Sequence, residues 1–98
     1  GASDLARAYA LIGKKADAAR ILNKVWADAK SYADYYLQLT GSRFMMSQND
    51  VLRQLYIMQN IADMTQACDK NLADKRLKTV NALYAVYQAK GGTPYQGE

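Results

Sequence analysis

Carboxylates are the side chains of this chain that are best suited to acid–base chemistry. The 98-residue sequence has no histidine and a single cysteine, Cys68, so the most common general base is missing, and neither a disulfide nor a cysteine-based zinc site can form within the chain. Glycoside hydrolysis would need two carboxylates on facing positions. The candidate pairs, Asp28 with Asp34 and Asp63 with Asp69, are six residues apart and do not share a helix face closely. The sequence therefore predicts no catalytic residue, cofactor or metal.

Aromatic side chains offer a second kind of chemistry, because they stack on sugars and anchor peptides. The chain has eight tyrosines, one tryptophan and one phenylalanine. Most of the tyrosines fall on the apolar seams of the predicted helices and are assigned to the core. Trp26, Tyr35 and Tyr56 fall beside the seams, which makes them candidates for an exposed interaction surface. The alternative for these three is packing against a neighbouring helix.

The charge balance is basic, with 13 Lys and Arg against 9 Asp and Glu and a net charge of +4. Such a balance suits nucleic acid or an anionic membrane surface. However, the cations are spread along the chain and alternate with Asp, so we expect a mixed, solvated surface and no nucleic-acid partner. The densest groups are Lys14-Lys15 and Lys75-Arg76-Lys78. We interpret them as a solvated turn and helix face, and contact with anionic lipid head groups is the alternative.

Four helices are predicted to position these side chains. Half of the residues are hydrophobic and runs of strand-forming residues are scarce, so the sequence predicts an all-α fold. The predicted helices span residues 4–12, 15–39, 50–69 and 71–90, and the segment 42–48 is a loop or a single helical turn. Short connections favour antiparallel neighbours. We expect one domain over residues 1–92, built from two helical hairpins as a short solenoid or a four-helix bundle, and a disordered tail over 93–98.

Apolar residues repeat every three or four positions and define a seam on each long helix. The seam of the second helix is Ala18, Leu22, Val25, Ala29, Tyr32, Tyr36 and Leu39. The seam of the third is Val51, Leu52, Leu55, Met58, Ile61, Ala62 and Thr65. The seam of the fourth is Ala73, Leu77, Val80, Tyr84 and Tyr87. Tyr36 and Leu55 lie at mid-seam on the two longest helices, so we expect both to be buried and close together.

The first 25 residues have a spacing of small and large residues that resembles one tetratricopeptide unit. A short helix carrying Tyr9 ends at Gly13, and a second helix follows. On the other side of the first helix, Ala6 and Ala10 form a smooth surface that suits close contact with another helix. Because the chain opens with Gly1 and has no initiator methionine, we expect it to be part of a longer protein whose preceding helices cover this surface.

Three further stretches extend this resemblance to nearly the whole chain, over residues 4–88. They are Asp34-Tyr35-Tyr36-Leu37-Gln38-Leu39, Leu55-Tyr56-Ile57-Met58-Gln59-Asn60-Ile61-Ala62 and Ala82-Leu83-Tyr84. With the tetratricopeptide-like opening, they are similar to the C-terminal region of a family of large bacterial membrane proteins of unassigned function. The N-terminal part of those proteins resembles the GT-C glycosyltransferases known as protein O-mannosyltransferases. The resemblance implies a soluble appendage on the periplasmic face, without the catalytic residues of the transferase part.

Together these features predict a non-catalytic interaction or scaffold domain of a glycosyltransferase-like protein in the bacterial cell envelope. Its partner would be another protein or neighbouring helical repeats of the same chain. No apolar stretch reaches the roughly 20 residues that span a bilayer, so a membrane part would belong to the remainder of the parent protein. Two alternatives stay open: an independent cytoplasmic tetratricopeptide-like adaptor, and a basic helical bundle that binds nucleic acid.

Overall fold

The computed structural model describes residues 2–11 and 13–94, and the side-chain surroundings of all of these except residues 2, 3, 6, 10 and 11. This part of the chain contains five α-helices and no strand, which confirms the all-α prediction. The helices are α1 (Ala2–Leu11), α2 (Lys15–Gln38), α3 (Gly41–Met46), α4 (Gln48–Thr65) and α5 (Lys70–Ala89).

The long helices pack mainly against their neighbours in sequence. Helix α1 packs on α2, α2 packs on α4, and α4 packs on α5, whereas α2 and α5 touch only slightly. Both predicted hairpins, α1–α2 and α4–α5, are therefore present. The segment predicted as a loop or a single turn is the short helix α3, and its Phe44 is buried against the bundle. Helix α4 consequently packs against the two longest helices, α2 and α5.

The turn between α1 and α2 depends on Gly13. Its φ of +84° is in the left-handed region, where a side chain would be strained. The N–H of Lys14 donates to the carbonyl of Tyr9 at 2.8 Å, the six-to-one hydrogen bond of a Schellman motif. The glycine stop predicted at this position is confirmed.

The turn between α4 and α5 differs from the prediction. Helix α4 ends at Thr65, four residues earlier than expected, and Asp69 is the N-cap of α5 rather than the last residue of the helix before it. The Asp69 carboxylate accepts a hydrogen bond from the N–H of Leu72 at 3.1 Å. An aspartate that caps a helix has extended backbone angles, so α4 could not have continued through this residue.

Two clusters of buried residues make up most of the core. The larger cluster joins α2, α3, α4 and α5 and consists of Ala29, Ala33, Leu37, Phe44, Val51, Leu55, Met58, Val80 and Tyr87. The smaller cluster joins α2 to α4, with Tyr9 of α1 packed against it, and consists of Ala18, Leu22 and Ile61. All the predicted seam residues of α4 are buried except Leu52, which is half-buried.

The seam of α2 was predicted wrongly beyond Ala29. The structure buries Ala33 and Leu37 there, while Tyr32 is 57% exposed and Tyr36 is half-buried. Small alanines at Ala29 and Ala33 let α2 approach α4 closely, which the bulky tyrosine would prevent. The expectation for the mid-seam pair therefore holds for the buried Leu55 and only in part for Tyr36.

The seam of α5 also differs from the prediction. Tyr87, Val80 and Ala73 are buried as expected, whereas Tyr84 and Leu77 are only half-buried. Arg76 is buried in the same row. The face of α5 that meets α4 is therefore narrower than the apolar pattern indicates, and it includes a charged side chain.

Tyr87 holds the end of the chain against the bundle. Its ring is fully buried beside Phe44, and its hydroxyl donates to the carbonyl of Thr93. The N–H and the hydroxyl of Thr93 both donate to Oε1 of Gln48 at 2.9 Å, and a Cβ added at Gly92 would come within 2.4 Å of the Tyr87 ring. The tail predicted to be disordered from residue 93 is thus attached at its first residue. Residues 95–98 lie outside the described part of the chain.

We expect the core on α4 to dominate stability. Met58 is 0% exposed and Met46 is 84% exposed, so Met58→Ala should lower the free energy of unfolding by about 2–5 kcal/mol, and the same substitution at Met46 should change it by less than about 0.5 kcal/mol. Urea unfolding followed by circular dichroism measures both. Equal losses for the two variants would contradict the assignment of the α2–α4 interface.

The buried hydroxyl of Tyr87 should make stability fall in alkali. Burial raises the pKa of Tyr87 above the ordinary value of 10.0, because a phenolate loses hydration inside the protein. Above about pH 10 the unfolded chain releases this proton and the folded chain retains it, so the folded state loses stability as pH rises toward the folded pKa. Tyr87→Phe should remove this part of the pH dependence, as measured by urea unfolding at neutral and alkaline pH. Tyr32→Phe, at an exposed tyrosine, is the control, and parallel alkaline losses in wild type and Tyr87→Phe would contradict this.

Candidate functional site

A groove with a volume of about 830 Å³ lies between α4 and α5. Leu55 and Val80, which also belong to the larger core cluster, form its floor. Leu52, Tyr56 and Tyr84 add half-buried or exposed apolar surface around that floor. The groove exists because α2 covers one side of α4 and leaves the opposite side of the α4–α5 pair open.

The remaining lining residues of the groove are polar. Asn49, Gln59 and Asn81 each carry an amide that can donate and accept hydrogen bonds. Arg53 is the only charged residue among those that line the groove. An apolar centre within a polar rim is the usual anatomy of a protein–protein interface. The groove can bind a ligand by apolar contact and hydrogen bonds, and its charge favours a carboxylate opposite Arg53.

The predicted interaction residues do not form one surface. Tyr56 is 69% exposed and lines the groove. Tyr35 is 58% exposed on α2, with its ring edge against Tyr36 at a centroid distance of 5.4 Å. Trp26 is half-buried, packs against both core clusters and lies under the guanidinium of Arg76. Trp26 thus packs against neighbouring helices, as the alternative interpretation expected. Of the three predicted aromatic residues, only Tyr56 lines the groove.

Two predicted surface positions, Ala6 and Ala10, have side chains outside the described part of the structure. Four groove residues were not predicted from the sequence: Asn49, Arg53, Gln59 and Asn81. Their spacing along each helix was available, because Asn49, Arg53 and Tyr56 follow one another at intervals of four and three residues. What the sequence could not show is that none of the other described long helices except α5 borders this side of α4.

A buried arginine links three helices at the other end of the bundle. Arg76 of α5 is 6% exposed. Its Nη1 donates to Oγ1 of Thr65 on α4 at 2.9 Å, its Nη2 donates to Oδ1 of Asn23 on α2 at 2.6 Å, and its guanidinium lies 5.1 Å from the Trp26 ring centroid. The prediction that Arg76 belongs to a solvated basic face with Lys75 is wrong. Because 73, 76 and 80 follow helical spacing, Arg76 falls in the buried row of α5.

Among the described residues, Arg76 donates hydrogen bonds to Thr65 and Asn23 and to no carboxylate. Its Nε is buried and has no hydrogen-bond partner. Burial lowers the pKa of Arg76, and the charge of nearby Asp69 opposes that shift. A guanidinium nevertheless stays protonated in proteins, so the bundle holds a buried cation that is incompletely compensated.

One carboxylate of each pair considered for acid–base chemistry has a structural partner. Asp34 accepts a hydrogen bond from Lys30 Nζ at 2.8 Å, and Asp69 caps α5. Among the residues described here, no group of three or more possible metal ligands comes together. None of the described helices is long and apolar enough to cross a membrane.

Comparison with known proteins adds no relative: no family model, curated protein or solved structure matches the chain.

The hydrogen bond from Arg76 gives Thr65 a structural role that Thr79 lacks. The hydroxyls of Thr65 and Thr79 both donate to the carbonyl four residues earlier, but only that of Thr65 accepts from a buried arginine. We expect Thr65→Val to lower the free energy of unfolding by about 1–3 kcal/mol, because it leaves a buried donor without an acceptor. Thr79→Val is the matched control and should be nearly neutral. Thermal and urea unfolding measure both, and a neutral Thr65→Val would show that Arg76 contributes nothing through this bond.

Proposed function

We propose that this chain is a non-catalytic interaction domain that binds an amphipathic helix of a partner protein in the groove between α4 and α5. The groove itself carries the proposal. It combines an apolar floor at Leu55 and Val80, an exposed aromatic ring at Tyr56 and a polar rim. Helical partners bind proteins in this way, with an apolar face in a groove between two helices.

The form of the groove favours a helix as its occupant. Helices α4 and α5 lie side by side and carry 18 and 20 residues, so they offer a floor several helical turns long. A third helix bound along the groove would cover the open side of α4 and α5, as α2 covers the other side of α4. The apolar side chains of such a helix would recur every three or four residues and contact Leu52, Tyr56 and Tyr84.

Charge complementarity sets the chemistry of the polar face of the partner. The residues lining the groove include one cation, Arg53, and no anion, and the whole chain carries a net charge of +4. An acidic residue beside the apolar face of the partner would pair with Arg53, and the overall field would speed its approach. We therefore expect the partner helix to be acidic at its flanks.

The resemblance noted in the sequence supports a proposed setting for this activity. A helical domain similar to the C-terminal region of glycosyltransferase-like membrane proteins would organise a partner at the periplasmic face of the inner membrane, as a tetratricopeptide-like element of the larger protein. An independent cytoplasmic adaptor would use the same groove. Membrane fractionation of the full-length gene product, with protease protection of this region, distinguishes the two settings.

Tyr56 should be required for partner binding, and Tyr35 should not. The probe is a display library of amphipathic helical peptides whose flanking positions are randomised between acidic, basic and neutral residues. We expect the selected peptides to carry acidic flanks. Their affinity, measured by fluorescence polarisation, should fall at least about tenfold with Tyr56→Ala, since a central aromatic anchor contributes about 2 kcal/mol or more. Tyr35→Ala removes another exposed tyrosine, outside the groove, and should leave the affinity unchanged.

Three results would contradict the proposal. One is a set of selected peptides with basic flanks, and another is equal binding to wild type and Tyr56→Ala. The third is self-association of the chain that Tyr56→Ala abolishes, as measured by analytical ultracentrifugation, because a second copy would then occupy the groove. Circular dichroism of both tyrosine variants checks that they are folded.

A further inference from the structure

A second, smaller cleft of about 280 Å³ lies between the start of α2 and the turn that joins α4 to α5. It shares no lining residue with the groove. Leu22 and Leu72 give it apolar walls, and Lys15, Asp69 and Arg76 are its charged residues. Its size suits a small molecule or the last residue of a polypeptide.

Arg76 is the unusual member of this cleft. Only 6% of its surface is exposed. A guanidinium has five N–H donors. Thr65 and Asn23 each accept one hydrogen bond from it, and Nε is buried without a partner. Both terminal nitrogens thus retain an unused N–H group. Buried arginines are normally paired with carboxylates, which match their planar donor geometry.

The charges that line the cleft define the ligand that would complete this site. Lys15 and Arg76 contribute two positive charges and Asp69 one negative charge, which leaves one positive charge. A ligand with a single negative charge balances it, whereas a phosphate carries more charge than the cleft offers. Leu22 and Leu72 favour an aliphatic group next to the charged one.

We infer that this cleft binds the carboxylate of an aliphatic monocarboxylate, with Arg76 as the residue that recognises it. The ligand carboxylate accepts hydrogen bonds from the N–H groups that Thr65 and Asn23 leave unused. Its aliphatic body contacts Leu22 and Leu72. Such a carboxylate belongs either to a free short-chain acid or to the C-terminal residue of a polypeptide with an aliphatic side chain, and the two sources share the same recognition chemistry.

Substitution of Asp69 tests independently whether charge in the cleft governs ligand binding. Its carboxylate caps α5 through the N–H of Leu72, and its negative charge opposes the approach of another anion. Asparagine is an equally good N-cap but carries no charge. Asp69→Asn should therefore preserve the turn and make the ligand bind several-fold more tightly, which a purely structural role of Arg76 would not produce.

Nuclear magnetic resonance titration of the whole chain tests the inference. The probes are isovalerate for the free acid and N-acetyl-leucine for a polypeptide C-terminus, with isovaleramide and inorganic phosphate as negative controls. We expect saturable shifts of the Arg76 side-chain Nε–H resonance and of the Leu72 backbone amide with at least one carboxylate. Binding of both probes indicates a general aliphatic monocarboxylate site, and binding of N-acetyl-leucine alone indicates a polypeptide terminus.

Substitution of Arg76 links the shifts to this side chain. Arg76→Met keeps the length of the side chain and removes its charge and donors, so affinity should fall at least about tenfold. Arg43→Met makes the same change at an exposed position and should leave affinity unchanged. If Arg76→Met does not fold, two other measurements test the role of Arg76: the shift of its Nε–H resonance in wild type and the ligand affinity of Asp69→Asn.

The inference is wrong if neither carboxylate produces saturable shifts at the cleft, or if phosphate or isovaleramide binds as well as the carboxylates. It is equally wrong if folded Arg76→Met retains the affinity of wild type, or if Asp69→Asn binds no more tightly. None of these results depends on the groove between α4 and α5, whose peptide binding is measured separately through Tyr56.

Discussion

Helix α4 must bury two sides at once, and the rest of the structure follows from this constraint. Helix α2 lies on one side and α5 on the other, while α2 and α5 scarcely touch. Ala29 and Ala33 on α2 and Ala62 and Ala73 near the α4–α5 turn are all buried, and such small side chains let helices approach closely. A helix that is flanked on two sides needs a broad apolar seam, and α4 has one in Val51, Leu55, Met58, Ile61 and Ala62.

Because α2 and α5 have few contacts with each other, other side chains must fill the space between them. Different side chains do so at the two ends of α4. At the N-terminal end of α4, Phe44 and Tyr87 fill the space with two aromatic rings at a centroid distance of 5.9 Å, and Gln48 ties down Thr93. At the C-terminal end, Arg76 reaches from α5 to α2 with one hydrogen bond, to Asn23, and a contact with the Trp26 ring. One end is thus closed by apolar packing and the other by a buried charge.

The end closed by Arg76 and the open side between α4 and α5 therefore differ in chemical character. A buried guanidinium with unused donors is costly unless something pairs with it, and this points to an anionic ligand beside Arg76. The open side between α4 and α5 has the reverse character, with apolar floor residues such as Val80 that gain from being covered. We propose that both sites act by binding, while Asp34 and Asp69 serve as an ion-pair partner and a helix cap.

The sequence by itself determined the helical class, the stop at Gly13 and the buried face of α4, because these depend on local backbone preference and on apolar spacing within one helix. Only the tertiary structure decided that α2 turns Ala33 rather than Tyr32 toward α4. It alone placed Arg76 inside and left Tyr56 beside an open groove. Each of these depends on how closely two helices approach and on which sides stay uncovered, and such relations between separate helices are absent from the spacing within any one of them.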